Sequence, residues 1–136
     1  MGSRVDLSKY RFERAQADFE LAKKLFKDNE HNAAANRSYY AIFHAMRAVL
    51  ALYGFDSKKH SGVIAHFNQF YIHTGFFDKS FARMIQSAFE LRGNADYEDF
   101  YLVSLEEIEQ QIKNAEIFIA EIEKFLRVKW EENGLL

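Results

Sequence analysis

Apolar residues recur along this chain at intervals of three and four, the spacing of a helix that buries one face. Phe12, Ala15, Phe19, Ala22 and Phe26 predict a first helix from about Leu7 to Asp28, with Glu13, Glu20 and Lys23 at polar positions. Asp28 and Asn29 interrupt it. A second helix starts at His31 or Asn32, runs to Tyr53 and stops at Gly54. A third, about Ser61–His73, carries Val63, Ile64, Phe67, Phe70 and Tyr71 and stops before Gly75. The fourth spans about Asp78 to Arg92, with Phe81, Met84, Ile85, Ala88 and Phe89 inward and Gly93 as its stop.

Residues 93–103, "GNADYEDFYLV", read as the one long irregular stretch. Ser104 and Glu107 then stand in the S-x-x-E spacing of a capping box. Behind it Leu105, Ile108, Ile112, Ala115, Ile119, Ile122 and Leu126 continue unbroken in a coiled-coil-like seam that ends near Trp130. No repeat, low-complexity tract or linker appears. The expected fold is all-α, one up-and-down bundle of four to five helices with a long C-terminal helix, in a single domain over residues 1–136. Met1, Gly2 and Ser3 read as residues that a cloning step could leave, and are set aside.

Composition agrees with helices. Proline is absent and hydrophobic residues make up 49% of the chain, too apolar for disorder. There is no cysteine, which excludes disulfides and thiolate metal sites and suits a reducing cytoplasm. No apolar run approaches the roughly 20 residues that span a bilayer, so no membrane role is expected. The formal net charge of −2 argues against a long grip on duplex DNA, but leaves room for a small basic site.

On a wheel of the second helix, Tyr39, Ile42, Met46, Val49, Leu50 and Tyr53 cluster on one side. Opposite lie Ala34, Ala41, Ala48 and Ala51, interrupted by Arg37 and His44. A stripe of alanines lets something approach closely: a helix, a subunit or a ligand. Arg37 and His44 are then either internally satisfied polar groups or a functional pair. A histidine near its usual pKa of about 6.5 can move a proton, and an arginine can hold a phosphate by two hydrogen bonds.

Three blocks in order, "AAANRSYYAIFHAMRAVL", "KKHSGVIAHF" and "AFELRGNADYEDF", resemble the small stand-alone prokaryotic branch of the HEPN family. The likeness covers most of the chain, from the first helix to about Phe100. It implies an all-α bundle and a cytoplasmic protein, often dimeric and often paired with a minimal nucleotidyltransferase in a toxin–antitoxin-like module. It also implies a metal-independent ribonuclease that uses an Arg and a His with four to six residues between them, with RNA or a nucleotide as ligand and no cofactor.

Arg37-x6-His44 fits that spacing, with Arg37 as phosphate holder and His44 as acid or base. In many ribonuclease members the motif falls later, where this chain has Arg92 and then Tyr97 in place of a histidine. Both placements stay open. Tyr40, Lys59, His60, Arg92, Asp96 and Tyr97 are the expected substrate-binding residues. Arg92 also reads as a last-turn arginine on the carbonyls, and Ser61 as a plain helix cap beside Lys58, Lys59 and His60. His31, His66 and His73 show no metal-ligand spacing. The alternative functions are a non-catalytic nucleotide-binding partner and a plain dimerisation module.

Overall fold

The computed structural model describes residues 3–134. It contains α1 (Arg4–Lys27), α2 (His31–Ala51), α3 (His60–Phe67), α4 (Ser80–Tyr97) and α5 (Leu105–Gly134), with a π-helical turn over Asn68–Ile72 continuing α3. The fold is all-α, and no strand occurs among the described residues. Met1 and Gly2 lie outside those residues. Ser3 is not idle: its Oγ accepts from Asp6 N–H at 3.0 Å while Asp6 Oδ2 accepts from Ser3 N–H at 3.2 Å, a capping box that starts α1.

Helix α2 is the central rod. It packs on α1, α3, α4 and α5, most extensively on α1. Fourteen of its 21 residues are buried, too many for a helix with one apolar face. The alanine stripe explains this: Ala34, Ala41 and Ala48 are wholly buried and Ala51 nearly so. What approaches them is α1 of the same chain, near enough for Ser8 Oγ to donate to the Ala48 carbonyl at 2.7 Å. Trp130 Nε1 of α5 donates to that same Ser8 Oγ at 2.9 Å, tying three helices together. The opposite face of α2 joins Phe67, Phe118, Ile85, Ile122 and Leu126 in the main core. Each such side chain contributes roughly 1.5–3 kcal/mol by leaving water.

The elements depart from the periodicity at several places. Helix α2 ends at Ala51 because the chain turns at Leu52–Gly54, where Gly54 takes φ +74° against the Arg4 guanidinium. Helix α3 starts at His60, with Lys59 at the capping position; Ser61 lies inside the helix and is no cap. The wider π turn places Tyr71 and Ile72 in the core and turns Phe70 out, 45% exposed. Gly93 does not stop α4. Its backbone stays helical, the helix runs on to Tyr97, and Arg92 is therefore not in the last turn.

At the C-terminal side, the capping box forms as the spacing predicts: Glu107 N–H donates to Ser104 Oγ at 3.1 Å and Ser104 N–H to Glu107 Oε1 at 3.0 Å. Ile108, Ala115, Ile119, Ile122 and Leu126 are buried, whereas Leu105 is 55% exposed. The loop before α5 is held by Asn32. Its Nδ2 donates to the Tyr101 carbonyl at 2.9 Å, and its Oδ1 accepts from Val103 N–H at 2.9 Å.

Candidate functional site

With α1 covering one flank of α2 and α4 the other, only a narrow strip of the helix beyond Ala34 reaches solvent. Asn36, Arg37, Tyr40 and Arg47 are half-buried along it, and His44 lies under its surface, 7% exposed. These positions are three and four apart, so they form one line along the helix. Each flank adds side chains to it.

From α1 comes Asp18. Its Oδ1 accepts from Arg37 Nη1 at 3.4 Å, and its Oδ2 lies 3.7 Å from His44 Nε2, beyond hydrogen-bond reach. Arg37 Nε also donates to Asn36 Oδ1 at 2.9 Å. Burial lowers the His44 pKa to about 4, and the charges of Arg14, Arg47, Arg11 and Arg37 push the same way. The nearby carboxylate favours protonation, but at this separation it does not outweigh burial and four cations. His44 is a neutral imidazole at pH 7, with its Nδ1 buried and without a protein partner. Burial raises the Asp18 pKa, and Arg37 and Arg14 partly offset the rise.

From α4 come Arg92, Asp96 and Tyr97. Because the helix continues past Gly93, Asp96 sits one turn after Arg92 and its Oδ2 lies 3.0 Å from Arg92 Nε, an ion pair whose angle falls short of a hydrogen bond. Arg92 Nη2 donates to Tyr40 Oη at 3.0 Å and to Tyr97 Oη at 3.3 Å. Its guanidinium also faces the rings of Tyr39, Tyr40 and Tyr97 at 5.4, 5.3 and 5.3 Å. Asn36 Nδ2 donates to Asp96 Oδ2 at 2.8 Å, which joins the α4 group to α2.

From the start of α3 comes His60. Its Nδ1 lies 2.9 Å from the hydroxyl of Tyr39, whose ring is wholly buried, and its own ring packs 4.2 Å from that of Phe43. Burial lowers the His60 pKa, and Arg92 and Arg47 add to the shift. Burial also raises the Tyr39 pKa far above that of a free phenol, so its hydroxyl keeps its proton. Below His60, Asp56 accepts from Arg11 and Arg47, both at 3.2 Å.

The expected site residues thus fall into one group, with one exception. Arg37, Tyr40, His44, His60, Arg92, Asp96 and Tyr97 meet along the strip, whereas Lys59 is exposed and its ammonium makes no ion pair among those described. Asp18, Asn36, Tyr39 and Arg47 join the group without having been expected. The one sequence signal for Asp18 is its place four residues after Arg14 on a helix. Five of the chain's eight arginines, Arg11, Arg14, Arg37, Arg47 and Arg92, face three carboxylates here, a cationic seam on a chain of net charge −2. A hollow of about 630 Å³ lies elsewhere, between α4 and α5 near Leu91 and Gln110. A line of cations along one helix suits an extended anionic ligand. Among the described residues no group of three or more His, Asp or Glu lies placed to hold a metal ion, and no helix is long and apolar enough to cross a membrane.

Comparison with known proteins places the chain among relatives of matching length. The HEPN domain matches residues 8–125. A Methanocaldococcus jannaschii protein named "Putative toxin MJ0605" is 36% identical over 113 residues, covering 83% of this chain and 84% of that protein. A "UPF0332 protein" of Thermotoga maritima is 33% identical over 126 residues, 93% of this chain and 96% of the relative. A second Methanocaldococcus jannaschii protein, "Putative toxin MJ0142", is 30% identical over 84% of this chain and 78% of its own length.

Proposed function

The chain belongs to the HEPN domain family, and from that membership we propose that it is an RNA-directed component of a toxin–antitoxin-like module, acting as a metal-independent ribonuclease. Relatives named as toxins support the module, and the cationic seam supports the ligand. One observation carries the reading: Arg37 and Arg92, from different helices, both lie against Tyr40, at 5.2 and 5.3 Å from its ring. Two guanidinium groups about one aromatic ring offer a phosphate two clamps and a base a surface to stack on. Arg37 and Arg92 hold the phosphate, and neutral His44 takes the proton from the attacking 2′-hydroxyl. Tyr40, Tyr97 and Asp96 shape the seam.

The same reading makes residues 1–136 one domain of a cytoplasmic protein that forms a homodimer and pairs with a nucleotidyltransferase. Phe100 and Leu102, 101% and 84% exposed beside Tyr97, provide an apolar ridge that supports such contacts. The test is cleavage of RNA by purified protein in EDTA. Arg37→Ala and Arg92→Ala each abolish it with helicity retained, and cleavage that survives both changes refutes the assignment.

The burial of His44 favours a second reading, a non-catalytic partner that binds a nucleotide or an RNA end. That protein shows a thermal shift with RNA, lost in Arg92→Ala, and no turnover.

A further inference from the structure

Cleavage of a phosphodiester without metal needs two proton transfers: one from the attacking hydroxyl and one to the departing oxygen. His44 supplies one group. His60 reaches the same seam from α3, and its ring borders the two rings that His44 borders. Tyr40 lies 6.1 Å from His44 and 5.7 Å from His60, centre to centre, and Phe43 lies 5.8 and 4.2 Å from them. The two imidazoles therefore flank one pair of aromatic side chains next to Arg92.

The setting of His60 fits proton transfer better than a packing role. Its Nδ1 is occupied by Tyr39 Oη at 2.9 Å, while its Nε2 makes no hydrogen bond among the described residues. A phenol is suited to hold a histidine that changes charge: it donates to the neutral ring and accepts from the protonated one. The Tyr39 ring is buried and stacks on the imidazole at 5.8 Å, so the ring orientation is held while Nε2 stays available. Arg92 and Arg47 are the charges acting on His60, and a phosphodiester bound between the arginines offsets them.

We propose that His60 is the general acid of the seam, protonating the leaving 5′-oxygen from Nε2. This rests on the ribonuclease reading. In the step, the 2′-oxygen forms a bond to phosphorus and its proton passes to His44. The P–O5′ bond breaks, and the 5′-oxygen takes a proton from His60. The products are a 2′,3′-cyclic phosphate and a 5′-hydroxyl, and later solvent exchange returns the proton from His44 to His60.

An RNA oligonucleotide with sulfur in place of the bridging 5′-oxygen at its cleavage site tests the acid, because a thiolate departs without protonation. His60→Asn keeps an amide near the Nδ1 position for Tyr39, and His60→Gln provides a second variant should the first melt early. We expect His60→Asn to cut the all-oxygen strand at least about 100-fold more slowly than wild type, and the sulfur-linked strand within about fivefold of it. Equal slowing on both strands, or an ordinary rate on the oxygen strand, overturns the role of His60 and leaves the ribonuclease reading standing. A wild-type protein that cuts neither strand overturns both.

Discussion

Arg92 Nη2 donates to the hydroxyl of Tyr40 at 3.0 Å, across 52 positions of sequence, while the same guanidinium faces the Tyr40 ring. One tyrosine thus meets one arginine through two different features. Removing the hydroxyl alone separates them: Tyr40→Phe leaves the ring to both arginines and loses one charge-assisted hydrogen bond, worth about 1.5–3 kcal/mol. RNA cleavage is expected to fall roughly tenfold in Tyr40→Phe and at least about 100-fold in Arg92→Ala, as initial rates in EDTA. Equal rates in the two variants would show that the ring is irrelevant.

Acid should weaken the fold through His44. Its pKa falls from 6.5 to about 4 on folding, so the unfolded chain binds the proton more tightly. The stability from keeping it neutral is whole above about pH 6.5 and is lost as pH falls toward 4, with a drop on the order of 2 kcal/mol between pH 7 and pH 5. His60 and His66, also lowered by burial, add in the same direction. Asp18, raised by burial, opposes them in the window just above its usual value. Denaturant titrations across this range should show the slope, and His44→Gln should flatten it.

Two glycines should respond oppositely to a methyl group. Gly93 is helical and a Cβ there meets nothing within 4 Å, so Gly93→Ala is expected to stabilise by about 0.5–1 kcal/mol, or roughly 2–4 °C in Tm. Gly54 sits at φ +74°, and a Cβ added there would stand 2.6 Å from Arg4 Nη2, so Gly54→Ala should lower Tm. Thermal melts by circular dichroism decide both. A fall in Gly93→Ala would mean that α4 breaks there after all.

Ala48 tests the packing of the central rod. It is wholly buried where α1 crosses α2, and Ser8 bonds to its carbonyl. Ala48→Leu should cost about 1–3 kcal/mol by overpacking, measured as a lower urea midpoint with an unchanged m-value. A neutral result would place slack between the helices.

Periodicity was enough to find all five helices, because 3-4 spacing reports which face is buried. It left the alanine face of α2 open to a helix, a subunit or a ligand, since a wheel cannot tell a face covered by the same chain from one left for a partner; the occupant is a helix, α1. Gly93 misled for a related reason. Propensity makes glycine a stop, yet Arg92–Asp96 and Asn36–Asp96 contacts, across a turn and across 60 residues, carry the helix past it. The site followed the same division. Arg37 and His44 share a helix and were legible as a pair. Asp18 was not, because its partners Arg37 and His44 lie on another helix, and Asn36 was not, because the bond that joins it to Asp96 spans 60 residues.

The bond from Asn36 to Asp96 has a consequence for what the seam can hold. Arg37 is fixed in place by the Asn36 carbonyl oxygen at 2.9 Å, and Arg92 by an aspartate that receives the Asn36 amide at 2.8 Å. A single side chain on the buried rod therefore bears on both members of the cationic pair, on Arg37 directly and on Arg92 through Asp96. The spacing of the two guanidinium groups is a gauge cut into α2, not a loop setting that a ligand can adjust. An anion must match that gauge, and a change as small as Asn36→Asp turns a neutral spacer into a third carboxylate between the cations.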